Sequence, residues 1–206
     1  MKTGRNAEEL LLRFWHFPVV TLGPGRRLGL WLQGCSIHCP GCIAPENQPF
    51  DRSFSISLDA LMEELAPALA ERPGVTISGG EPLDQQDALL DLLGRFNALG
   101  IRDILLYSGY PKEKILAACP ELPERVAALI DGPYVEGAVT PAPWKGSENQ
   151  TLTLFREEYC ERYEVWSADR ERRMQLVRKG AERYLIGIPR QEDSWRENMW
   201  KGAEEK

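Results

Sequence analysis

Three of the chain's five cysteines stand within eight residues, in the run GCSIHCPGC, as Cys35, Cys39 and Cys42. That CxxxCxxC spacing constrains the chain more than any other feature. The sequence opens MKTGRNAEELLL and soon meets Arg13, with no hydrophobic signal region, so grouped thiols here argue for a metal site and against a disulfide framework. Soft sulfur ligands at this spacing suit three irons of a four-iron cubane. The fourth iron then stays open, a Lewis acid to which a substrate can chelate. Two other readings of the thiols remain open. One is structural zinc, which wants a fourth ligand that neither His16 nor His38 offers at a recognised spacing; the other is uncoordinated cysteines. Cys119 and Cys160 lack close neighbours and read as buried small hydrophobes.

Where the cysteine loop sits follows from the pattern around it. Leu10 to Val20 reads as a strand, at an edge because Pro18 cannot donate to a ladder. Gly23-Pro24-Gly25 marks a turn, and LGLWLQ (28–33) reads as a buried strand that runs straight into the cysteines. Helical periodicity follows from Ser57, a plausible N-cap, with Leu58, Leu61, Met62, Leu65 and Leu69 on one stripe, Pro67 a source of a kink, and Pro73-Gly74 a stop. Then come the strand VTIS (75–78), Gly79-Gly80-Glu81-Pro82, a helix over 85–99, the strand DILLYS, a short helix through Cys119 and the strand VAALID. Strand and helix alternate, which predicts an α/β fold with a parallel sheet. Residues 132–150 form a long Gly- and Pro-rich loop of the kind that carries function. Beyond it TLTLF, YEVW, RRMQLV and RYLIGIP read as short extended pieces, the last two joined by KGAE as a hairpin. The expected organisation is a core over 10–150, a β-rich extension over 151–190 and a loosely held tail over 191–206.

Composition narrows the class. With 43% hydrophobic and 27% charged residues the chain is too apolar for disorder and too charged for a membrane core, so a soluble, cytoplasmic protein is expected. The net charge of −6 speaks against nucleic acid as a partner. That charge belongs to residues 1–154, whereas 155–206 is neutral and dense in both signs.

The CxxxCxxC loop after one strand and Gly79-Gly80-Glu81-Pro82 after the next resemble the radical S-adenosylmethionine superfamily. More closely, GPGRRLGLWLQGC with CPGC, then SGGEP, LLYSGY, DGPYV and WKGSENQ resemble its anaerobic ribonucleotide reductase activating enzymes, over about residues 16–150. The resemblance implies an incomplete TIM-type barrel, to which the pattern beyond it adds the small β-rich C-terminal extension. It implies that Cys35, Cys39 and Cys42 hold a 4Fe-4S cluster whose open iron is chelated by S-adenosylmethionine, and that an electron from the cluster yields a 5′-deoxyadenosyl radical. It further implies a partner glycyl radical protein that loses a glycine hydrogen, and a flavodoxin or ferredoxin as reductant.

By the same resemblance Gly79, Gly80, Glu81 and Pro82 meet the methionine moiety, with Glu81 accepting from its ammonium group. Gly41 and Ile43 meet the adenine through their backbones, and Ser108 and Tyr110 lie near the ribose or methionine, or simply pack. Many superfamily members carry an aromatic residue where Gly41 stands, and the activating enzymes end their loop CPGC as here. A polar residue often found before GPG is Leu22 in this chain. Asp131, Trp144, Lys145, Asn149 and Gln150 have two readings, docking of the partner's glycine loop or local turn and packing work. The aromatics Phe14, Trp15 and Trp31 read as core. The last 52 residues lie beyond the resemblance and keep a second reading alive, the same chemistry on another peptide or small molecule. An electron-transfer or metal-binding module without catalysis is the third, disfavoured by the GGEP segment.

Overall fold

A computed structural model describes residues 8–180 and 182–190; the opening residues and the tail over 191–206 fall outside the described residues. The chain forms β1 (Glu9–Val19), β2 (Arg27–Leu32), β3 (Ser55–Ser57), α1 (Leu58–Leu69), β4 (Gly74–Gly79), α2 (Gln86–Ala98), β5 (Ile104–Tyr107), α3 (Lys112–Ala118), α4 (Leu122–Arg125), β6 (Ala128–Asp131), β7 (Thr151–Leu154), α5 (Cys160–Ala168), β8 (Gln175–Lys179) and β9 (Glu182–Ile186). The fold is α/β. Its seven-stranded sheet runs β3-β1-β2-β4-β5-β6-β7, with β2, β4, β5 and β6 parallel and the flanking strands antiparallel. Since β7 pairs with β6 from Asp131↔Thr151 to Ala128↔Leu154, the main sheet takes in residues on both sides of position 150.

The four parallel strands are short and apolar because both faces are covered. On one face Leu28, Leu30, Val75, Ile77, Ile104, Leu106 and Leu129 pack beneath α1 and α2, whose Leu61, Leu65, Leu89, Leu92, Leu93 and Phe96 are fully buried. Each such side chain contributes about 1.5–3 kcal/mol through burial. The Ser57 hydroxyl accepts from the Ala60 N–H at 3.2 Å and caps α1, and α1 runs on through Pro67 to Leu69, with the proline on its exposed side. Cys119 is buried in this core, whereas Cys160 is only half-buried, correcting the expectation that both are buried.

The other face is covered in two patches. Leu105, Ala128 and Ile130 pack against Tyr163 of α5, and Phe14, Val19 and Leu22 pack against Val177 and Ile186 of the β8–β9 hairpin. Phe14 reaches that side because β1 has an irregularity between Leu12 and Phe14, which lets Leu12 face the helices and Phe14 the hairpin. Pro18 stands where, among the described residues, no strand pairs with the outer side of β1, since β3 pairs only with Glu9 to Leu11. The YEVW segment is helical, not extended. Tyr159, Tyr163 and Trp166 recur at helical intervals and pack together on the sheet, a period that outweighs the β propensity of the individual aromatics. The hairpin exists, with Lys179 paired to Glu182.

At the amino ends of the strands lies a buried polar cluster. The Arg27 guanidinium, 0% exposed, donates to both Asp103 carboxylate oxygens at 3.1 Å, to Thr76 Oγ1 at 2.7 Å and to the Val75 carbonyl at 2.7 Å. Tyr163 donates to Asp103 at 2.7 Å, and Arg162 pairs with it at 2.9 Å. Thus α5, far along the chain, pins the opening turn of β2 to β4 and β5. No helix of the described residues is long and apolar enough to cross a membrane.

Candidate radical site at the carboxyl edge of the sheet

The cysteine loop leaves β2, the GGEP segment leaves β4, Ser108 and Gly109 follow β5, and Gly132 to Glu136 follow β6, so four consecutive parallel strands deliver their loops to one edge. Ligand sites of open α/β sheets lie at such carboxyl edges. A cleft of about 300 Å³ opens there. Of the residues singled out in the sequence, Cys35, Cys39, Cys42, Gly41, Ile43, Gly79, Gly80, Glu81 and Ser108 all line it. Pro82 does not; it is buried at the start of a short helical turn. A second cavity, of about 360 Å³ beside Arg26 and Trp166, holds none of these residues.

The cysteine loop is a closed excursion whose two ends are tied together. Gly34 N–H donates to the Asn47 carbonyl at 2.7 Å, Cys35 N–H to the Gln48 carbonyl at 2.9 Å, and the Gln33 side chain to the carbonyls of Glu46 and Pro49 at 3.0 and 2.7 Å. Its crest is fixed by Asp84. That carboxylate accepts from the Ser36 N–H at 2.6 Å, the Ser36 hydroxyl at 2.9 Å and the Tyr110 hydroxyl at 2.8 Å. Tyr110 therefore braces the cysteine loop, and Asp84 is a positioning residue that sequence reasoning missed.

The thiols are half-buried. Burial pushes Cys35 and Cys39 above the usual thiol range, opposed by N–H donors from His38 and Ile37 to the first and from Tyr134 to the second. N–H groups aimed at sulfur favour the thiolate and, in a cluster, tune its potential. Among the described residues no three Cys, His, Asp or Glu side chains converge as a single metal ion would require.

The two glycines of GGEP are also required by the backbone packed against them. A Cβ on Gly79, whose φ is +107°, would lie 2.3 Å from the Leu32 nitrogen, and one on Gly80 would lie 2.1 Å from the Gly34 carbonyl oxygen. They admit the backbone that leads into the cysteine loop. Gly80 N–H donates to the Leu32 carbonyl at 2.7 Å and Glu81 N–H to the Gly34 carbonyl at 2.8 Å, so the two motifs are joined directly. Gly41, at φ +68°, lies under Tyr134 and Glu136, and the Tyr134 ring comes within 3.3 Å of where its Cβ would be. An aromatic from the loop after β6 thus sits beside the residue that is aromatic in many members of the superfamily.

Glu81 is 1% exposed, and its carboxylate accepts from Leu83 N–H at 3.0 Å, Gly109 N–H at 2.7 Å and the Ser108 hydroxyl at 2.8 Å. A carboxylate has about four acceptor sites, which leaves one for a ligand. Burial pushes its pKa up to about 7 against these donors. Folding raises the proton affinity of this carboxyl, so its stabilising contribution is full below about pH 4.5 and is lost as pH rises through about 7. Urea denaturation of the metal-free chain at pH 5 and pH 8 should show a decline of up to about 3 kcal/mol from this group. Glu81→Gln should flatten that decline; an unchanged slope in the variant contradicts the assignment.

The loop after β6 is held by the residues that had two readings. Asp131 accepts from Lys112 N–H at 2.9 Å and Thr151 Oγ1 at 2.6 Å, Asn149 donates to the Pro133 carbonyl at 2.7 Å, and Gln150 bridges the Gly132 carbonyl at 2.9 Å and the Gly146 N–H at 2.8 Å. Trp144 donates to the Ser167 carbonyl at 3.2 Å beside Trp166, and Lys145 bonds the Glu148 carbonyl at 2.8 Å. These contacts shape the loop and tie it to α3, β7 and α5. Trp31 and Leu22 line the cleft as well as packing behind it, and Trp31 is therefore more than core.

Residues 21–153 match the model of the 4Fe-4S single cluster domain. The chain belongs to that family. Among curated proteins similar to it is the anaerobic ribonucleoside-triphosphate reductase-activating protein of Escherichia coli (strain K12), 31% identical over 152 residues, covering 97% of that protein and 68% of this chain. The protein of the same description from Salmonella typhimurium is 32% identical over the same lengths, and that of Enterobacteria phage T4 is 33% identical over 137 residues, covering 85% of it and 63% of this chain. The 4Fe-4S single cluster domain spans the cysteine loop, the GGEP segment and the loop after β6; α5 and the hairpin lie beyond it.

Proposed function

We propose that this chain is a radical S-adenosylmethionine activase that takes a hydrogen atom from a glycine of an anaerobic ribonucleotide reductase. The observation that carries the reading is the direct backbone joining of the cysteine loop to the GGEP segment on a cleft at the carboxyl edge, in a chain whose relatives are described as activating proteins for that reductase. The sheet order, four parallel strands in sequence with antiparallel strands at its ends, agrees with an incomplete barrel of the radical S-adenosylmethionine kind.

When bound, the cluster supplies the electron that cleaves the sulfonium and so delivers a 5′-deoxyadenosyl radical. The chain's own part is to hold and exclude. Cys35, Cys39 and Cys42 hold the irons, with N–H groups of Ile37, His38 and Tyr134 on two of the sulfurs. Glu81 offers its remaining acceptor site to the ammonium group, Gly79 and Gly80 keep that carboxylate beside the cysteines, and Gly41 and Ile43 present backbone to the adenine. Ser108 orients Glu81. No residue has to move a proton for hydrogen abstraction, which agrees with a chain holding two histidines. A flavodoxin or ferredoxin is the reductant in this reading, in the cytoplasm, where thiolates stay reduced.

Anaerobic reconstitution with iron and sulfide, followed by reduction in the presence of S-adenosylmethionine, tests the chemistry. The expected products are methionine and 5′-deoxyadenosine. An intact, reduced cluster that makes neither would overturn the reading.

A further inference from the structure

The segment beyond the family match forms one wall of the cleft. After β9 the chain runs through Gly187, Ile188, Pro189 and Arg190, and all four line the cleft with the cysteines. Several contacts seat the hairpin, among them Tyr184 stacked on Phe14 with ring centroids 3.9 Å apart, Gln175 donating to the Pro18 carbonyl at 2.8 Å, and Thr21 Oγ1 donating to the Ile186 carbonyl at 3.3 Å. Gly187, at φ +133°, makes the turn into the cleft, where a Cβ would meet the Arg173 carbonyl oxygen at 2.8 Å.

Arg172 ties this wall to the rest of the site. One guanidinium nitrogen donates to the carbonyls of Ile188 and Pro189 at 2.8 and 3.3 Å, and the other to those of Ala142 and Thr140 at 2.8 and 3.3 Å. A planar fork is suited to gripping two backbones at once, which a lysine ammonium cannot do with the same geometry. The backbones it joins are the cleft wall and the far part of the loop after β6, at Thr140 and Ala142. Hydrogen transfer needs the reacting atoms about 3–3.5 Å apart, and a 1 Å misplacement costs on the order of a hundredfold. A wall bordering that space decides the angle from which a substrate chain enters.

We propose that the C-terminal hairpin and residues 187–190 are a specificity wall that directs the partner's glycine-bearing segment into the cleft, with Arg172 as the positioning residue that sets it. The proposal rests on the activase reading. It is tested in the full chain with Arg172→Met, which keeps the stem and loses the donors, and Arg172→Lys. Without partner, reconstituted Arg172→Met should cleave S-adenosylmethionine within about twofold of wild type, while the reductase concentration for half-maximal glycyl radical formation rises about tenfold, with Arg172→Lys between. In the metal-free chain, hydrogen exchange should quicken in 187–190 and 139–142 together in Arg172→Met. Unchanged exchange there, an unchanged half-saturating concentration, or cleavage and activation falling in parallel would overturn the wall. If wild type makes no 5′-deoxyadenosine, the activase reading fails, and the exchange measurement still decides whether Arg172 clamps the two segments.

Discussion

Single replacement of Cys35, Cys39 or Cys42 by alanine is expected to abolish reductive cleavage of S-adenosylmethionine, and Cys119→Ala to preserve it. The reason is coordination. Three cysteines line the cleft, and in the proposed reading each holds one iron, so that removing one leaves a second iron without its anchor. The loss should exceed the roughly 10–100-fold that removing a residue behind a metal ligand costs. Iron content after reconstitution should fall alongside activity in each of the three variants. Cys119 is buried in the helical core and touches none of this, so its variant should load iron like wild type. Cleavage surviving in any of the three variants, or lost in Cys119→Ala, contradicts the ligand assignment.

The second large effect is on stability, at the opposite edge of the sheet. Asp103→Ala leaves the Arg27 guanidinium buried without its carboxylate and also strips a partner from Tyr163 and Arg162. Removing one member of a buried pair costs about 3–5 kcal/mol, because the remaining charge stays desolvated. For a domain of this size that is a fall of roughly 10 °C in Tm. The exposed pair of Arg95 with Asp59 provides the contrast, and Asp59→Ala should cost less than about 1 kcal/mol. Urea denaturation of the metal-free variants measures both. Equal costs would mean that the Arg27 cluster is not the tie between α5 and the strand ends.

How far the sequence could be read depended on whether a signal was local. The cysteine spacing, the helical stripe of α1 and the strand before each loop lie within a few residues, and all are recognisable there. The need for small residues at positions 79 and 80 was equally plain, but their neighbour was not: the sequence says that space is required, and only the fold reveals that the Gly34 carbonyl fills it. Asp84 and Arg172 act on backbones and side chains 26 to 48 and 16 to 32 residues away, and no local pattern marks them. Nothing near Arg27 in the sequence marks it as buried; its partner Tyr163 on α5 lies more than 130 residues later. The four residues YEVW look extended by themselves, and the helical period becomes visible only once Tyr159 is included.

In the proposed function, hydrogen passes from a partner's glycine to a fragment of S-adenosylmethionine in this cleft. The most direct measurement uses anaerobic ribonucleotide reductase made with α-deuterated glycine, mixed with the reconstituted, reduced chain and S-adenosylmethionine. Mass spectrometry of the 5′-deoxyadenosine should then show deuterium, in step with a glycyl radical signal on the reductase. 5′-Deoxyadenosine that forms without deuterium, and a reductase that stays silent, would contradict the account.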